Sequence, residues 1–158
     1  MLPSREVLVA LFENVPRFTA RLADEEVESY SELLDRAEQI AAQMPEDEQL
    51  ELIDGHPRIG AAPQTVSATS FREQGYDRDP GTAELQARLD RLNEAYEAEF
   101  GFRFVIFVAG RPRTEIADAM EGRMLASREE ELERALSDVF LIARSRLDKL
   151  SRPLEEAR

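Results

Sequence analysis

Apolar residues return at steps of three and four along almost the whole chain, and this periodicity restricts it to a helical fold. Val7, Leu8, Leu11 and Phe12 share one face of a helix over residues 4–14, which stops before Pro16. Ser31 is placed to cap a second helix carrying Leu33, Leu34, Ala37, Ile40 and Ala41. Pro45 opens a short helix through Leu50 and Ile53, and Gly55 ends it. Thr82 caps a long helix whose stripe is Leu85, Leu89, Leu92, Tyr96 and Phe100, with Gly101 closing it. A short helix follows near residues 114–124. Ser127 and Glu130 form a capping box for the last helix, expected to run to about Leu150 before Pro153.

Three segments break the pattern. Residues 55–69 hold two prolines, two glycines and the only histidine, and read as a loop; residues 75–81 form a second break. Residues 102–109 alone look extended, as a short strand or as buried extended backbone. A lone extended segment has few backbone partners, which leaves its amides to meet a ligand. The expectation is an all-α fold: a compact single-domain multi-helix bundle over residues 1–158 with one short extended segment.

Composition narrows the function. No apolar run reaches the ~20 residues of a membrane span, and the N-terminus lacks a basic region followed by an apolar one, so the expected location is cytoplasmic. The chain has no cysteine, which excludes disulfides, zinc-thiolate sites and thiol nucleophiles; one histidine makes a histidine-rich metal site implausible. A net charge of −13 argues against nucleic acid as a partner. An anionic substrate would need a local arginine or a helix N-terminus.

Three places could carry chemistry. His56 lies in Asp-Gly-His-Pro-Arg-Ile-Gly, where Pro57 restricts it to extended backbone. A fixed imidazole suits acid–base work near neutral pH, although a hydrogen-bonded loop histidine fits the same spacing. Ser70 and Glu73 have the spacing of a capping box, which would account for both structurally. Their helix, however, would meet Gly75 after one turn, too short to nucleate for its own sake. Arg146 occupies the next position of the last helix's stripe of Leu132, Leu136, Val139, Ala143 and Leu150. A guanidinium there needs a partner, an internal carboxylate or a substrate oxygen, unless it snorkels to solvent.

Taken together, His56-Pro57-Arg58-Ile59-Gly60, Ser70 through Glu73-Gln74, Leu92-Asn93 with Tyr96 leading to Phe100-Gly101-Phe102-Arg103-Phe104-Val105-Ile106, and Ala143-Arg144-Ser145-Arg146-Leu147 resemble the OHCU (2-oxo-4-hydroxy-4-carboxy-5-ureidoimidazoline) decarboxylases. The resemblance covers nearly the whole chain and rests on the order and separation of these pieces. It implies an all-α homodimer working on a small anionic ureidoimidazoline without metal or organic cofactor, yielding (S)-allantoin in urate degradation. It also implies His56, Glu73 and Arg146 as catalytic residues. Pro57, Ser70, Phe71, Arg72 and Gln74 would bind substrate, and Phe104, Val105, Ile106, Phe107 and Val108 would add backbone contacts. The chain departs from the family pattern at residues 75–81 and 109–113. Two other readings share the fold: a non-catalytic helical interaction module, and a decarboxylase of a related ureido or imidazoline acid.

Overall fold

The computed structural model describes the backbone of residues 1–156 and the side chains of residues 1–150. Among these residues there are eight α-helices and no β-strand: α1 (Arg5–Phe12), α2 (Pro16–Ala23), α3 (Tyr30–Gln43), α4 (Glu46–Asp54), α5 (Ala68–Glu73), α6 (Ala83–Phe100), α7 (Arg113–Arg123) and α8 (Arg128–Glu156). A 3-10 turn covers Pro63–Thr65. The all-α expectation holds. Two compact units divide the chain, one made of Met1–His56 with the segment from Leu136 onward, the other of Pro57–Ala135.

The first unit has a core of α1–α4 and the later part of α8. Phe12, Phe18 and Phe140 meet edge-on, with Phe12 5.1 Å from Phe18 and 5.6 Å from Phe140. Helix α2 was not anticipated. Pro16 does not merely stop α1; it opens α2, where its missing N–H is no loss, and Phe18 and Leu22 bury one face. The cap of α3 is Ser29 rather than Ser31, its Oγ accepting from the Glu32 amide at 3.1 Å. Gly55 keeps ordinary helical angles at the end of α4, so it serves no sharp turn. A Cβ there would overlap Val15 Cγ1; the position needs glycine for space.

In the second unit α7 packs on α6, and Tyr96, Phe100, Phe102 and Phe104 form an aromatic cluster, with Tyr96 4.5 Å from Phe100 and 5.1 Å from Phe104. After α6 the chain runs extended without a ladder, so the segment is buried extended backbone and not a strand. Arginines donate to three of its carbonyls. Arg134 donates to Val105 O at 2.9 Å, and Arg111 donates to Phe107 O and Val108 O at 2.7 and 3.0 Å. Arg134 is held in turn by Glu131 at 3.1 Å, which also accepts from the Tyr96 hydroxyl at 2.7 Å.

Helix α8 begins where the Ser127 cap predicts, Oγ accepting from the Glu130 amide at 3.1 Å. Of the expected stripe, Val139, Ala143 and Arg146 are buried, with Glu131, Ala135, Phe140 and Ile142 beside them, whereas Leu132 and Leu136 are half-buried and Leu150 is exposed. The helix also continues past Pro153 to Glu156. A proline this near a helix end removes one hydrogen bond with only a turn left to support.

Candidate functional site

His56 follows α4 directly and is 3% exposed. Its amide donates to Ile53 O at 3.1 Å, extending the helix-end pattern that Gly55 begins. Its Nδ1 lies 3.2 Å from Leu52 O. A carbonyl only accepts, so Nδ1 carries the proton and Nε2 of the neutral ring bears the lone pair. Burial pushes the imidazole down to about 4; the Arg146 charge adds to this, while Glu13 and the Leu52 and Ile53 carbonyls oppose it. At neutral pH His56 is therefore an uncharged base.

Arg146, on the buried face of α8, is 4% exposed and paired. Its Nη2 donates to Glu13 Oε1 at 3.0 Å, and its Nη1 to Ala10 O and Leu11 O at 3.3 and 3.4 Å. Of the partners that sequence left open, an internal carboxylate is present. Glu13 escaped sequence analysis. It ends α1 with φ of 69°, a left-handed angle unusual for glutamate, and its amide bonds Val9 O. Nothing local in Phe-Glu-Asn-Val-Pro signals a partner 133 positions away.

In the second unit, α5 carries the polar turn. Ser67, not Ser70, is the cap, its Oγ accepting from the Ser70 amide at 3.1 Å. Ser70 lies inside the helix and is buried, so capping does not explain it or Glu73, which is half-buried. Phe71 is half-buried and stacks on Tyr76 at 5.5 Å, and Arg72 is exposed. Buried Gln74 uses both ends of its amide on the loop after His56: Oε1 accepts from Gly60 N at 2.8 Å and Nε2 donates to Arg58 O at 3.0 Å.

That loop has no ladder or helix to satisfy its backbone, and side chains do so instead. Asn93 donates to Ile59 O at 2.9 Å, Gln86 to Gly60 O at 2.8 Å and the Tyr76 hydroxyl to Ala61 O at 2.7 Å. With Gln74, four consecutive carbonyls each receive a side-chain donor. Gly60 takes φ of 82° between them. Pro57 is half-buried at the head of the loop. Phe104, Val105, Ile106 and Val108 are buried and Phe107 half-buried. The structure thus places His56 beside Arg146 and Glu13 in one unit, and Gln74 against the 58–60 backbone in the other.

Among the described residues no cluster of three or more acidic, histidine or cysteine side chains is placed to hold a metal ion, and no helix is long and apolar enough to cross a membrane.

Comparison with known proteins adds an independent line. The sequence model of the OHCU decarboxylase family matches residues 4–148. A 2-oxo-4-hydroxy-4-carboxy-5-ureidoimidazoline decarboxylase of Haloferax volcanii is 34% identical over 101 residues, 64% of this chain and 60% of that protein. The uric acid degradation bifunctional protein PucL of Bacillus subtilis is 38% identical over 103 residues, 63% of this chain and 20% of that protein. The chain thus spans a fifth to three fifths of these relatives. A crystal structure of OHCU decarboxylase obtained in the presence of (S)-allantoin superposes with a TM-score of 0.74 at 26% identity, covering 94% of this chain and 98% of that one.

Proposed function

The chain belongs to the OHCU decarboxylase family, and from that premise we propose that it converts 2-oxo-4-hydroxy-4-carboxy-5-ureidoimidazoline to (S)-allantoin and CO2. The observation that carries this reading is the buried neutral imidazole of His56, its Nδ1 held by Leu52 O, beside the Arg146–Glu13 pair. The family match across 4–148 supports treating the chain as one catalytic domain.

The substrate's C4 bears both hydroxyl and carboxylate, and C5 bears the ureido group. When the C4–carboxylate bond breaks, its electron pair becomes a C4–C5 double bond, and the ring C=N bond at C5 passes its pair to nitrogen, which takes a proton from water. The resulting enol at C4 becomes a carbonyl by losing its hydroxyl proton, and C5 gains one. Neutral Nε2 of His56 accepts the hydroxyl proton and the imidazolium returns a proton to one face of C5. A buried imidazolium is a strong acid, which favours the return. Arg146, oriented by Glu13, holds a developing anionic oxygen in place. Glu73 accepts from the ureido N–H groups, Ser70 and the 106–108 amides fix orientation, and Gln74 acts by holding the loop. Homodimer assembly and cytoplasmic location belong to the same reading, checked by sedimentation and fractionation.

The test is to generate the substrate in situ from urate and follow optical rotation. Fast formation of one-handed allantoin, lost in His56→Ala, is expected. Racemic product at the spontaneous rate, with folded protein present, overturns the reading.

A further inference from the structure

The segment after α5 and the start of α7 meet at one side chain. Arg113, first residue of α7, is 5% exposed. Its Nη1 donates to Gln74 O at 2.9 Å and its Nη2 to Asp79 O at 2.6 Å. Its guanidinium carbon sits 4.2 Å from the centroid of the Tyr76 ring. Two carbonyls and an aromatic face are weak compensation for a buried charge, so this cation is costly as a mere packing element. Glycine makes the approach possible: a Cβ on Gly81 would lie 2.9 Å from Arg113 Nη2.

Of the three residues that Arg113 grips, Gln74 and Tyr76 bond the loop after His56. Gln74 bonds Arg58 O and Gly60 N, and Tyr76 bonds Ala61 O. We propose that Arg113 is a positioning residue: by clamping the Gln74 carbonyl and the Tyr76 ring it sets the backbone of residues 58–61, and through it the catalytic loop. The planar fork suits this task, since it reaches two divergent carbonyls while its face lies on a ring; a lysine ammonium can do only one of these. The activity readout rests on the decarboxylase reading, whereas the structural readout does not.

The experiment compares wild type, Arg113→Met and Arg113→Lys by amide hydrogen exchange and by steady-state kinetics on the ureidoimidazoline. In folded R113M the Gly60 amide is expected to exchange about tenfold faster or more. Its kcat should fall about tenfold with KM changed less than about threefold, and R113K should recover part of the loss. Unchanged exchange at Gly60 overturns the proposal whatever the activity does. So does a loss of turnover fully explained by a smaller folded fraction. If wild type itself shows no decarboxylation, the functional reading fails while the exchange data still judge Arg113. Should R113M not fold, R113K, which keeps charge and most of the volume, is read by the same criteria.

Discussion

An imidazole whose Nδ1 donates to a backbone carbonyl keeps its lone pair on Nε2, and its charge state decides what that nitrogen does. Burial and Arg146 keep His56 neutral well below the ordinary histidine range. The acid limb of kcat/KM should therefore lie below pH 6.5, displaced toward about 4, measured as initial rates across pH in a constant-ionic-strength buffer. Glu13 opposes the depression, so Glu13→Gln should move the limb lower still. The same variant removes the carboxylate from a guanidinium that is 4% exposed. Glu13's side chain is 18% exposed, which admits water and keeps the cost below that of a fully buried pair, about 2 kcal/mol by denaturant unfolding.

At the scale of elements, the informative piece has no regular structure. Residues 58–61 are fixed by donors from α6 and from the α5 region, and Gly60 allows the turn between them. Gly60→Ala forces alanine into φ of 82° with a Cβ 2.9 Å from Leu89 Cδ1. It should destabilise by roughly 1–3 kcal/mol in chemical denaturation and lower kcat, because the loop that follows His56 shifts. Helix α5 carries its cap, Ser67, and the buried Ser70 within four residues. Ser67→Ala removes the cap and should cost about 1 kcal/mol with near-normal kinetics in the folded protein. Ser70→Ala, in contrast, should raise KM while leaving the cap bond in place. Equal kinetic effects from the two would remove Ser70 from substrate binding.

For the whole molecule, pH-dependent stability follows from proton uptake on unfolding. The folded-state pKa of His56 lies below its unfolded value near 6.5, so its stabilisation is fully present above 6.5 and is lost as pH falls toward 4. The loss amounts to roughly 3 kcal/mol if the full depression is realised. Asp47 and Glu48, held down by hydrogen bonds from Arg17 and Arg21, lose their contribution only in the lower carboxylate range. Unfolding free energies measured between pH 7 and 4.5 should decline in wild type and much less in His56→Phe.

Helix positions were legible in the sequence because periodicity, caps and glycine stops are local. The Thr82, Gly101 and Ser127 signals each mark a helix end in the structure. Pro16 misled because the same residue can end one helix and open the next. Likewise, Ser70 and Glu73 matched a cap whose true residue, Ser67, stands one turn earlier. His56 and Arg146 could be singled out from order and spacing. By itself, then, the sequence determined an all-α chain with a braced histidine loop, a polar turn and an arginine on an apolar face. Only the tertiary structure decided that Arg146 pairs with Glu13, that Gln74 and Tyr76 hold the loop, and that Arg113 holds them. These partners lie 14 to 133 residues apart in sequence. Local propensity cannot choose among the chain's many carboxylates and carbonyls; that choice belongs to packing, which buries a few donors beside a few acceptors and leaves the rest in water.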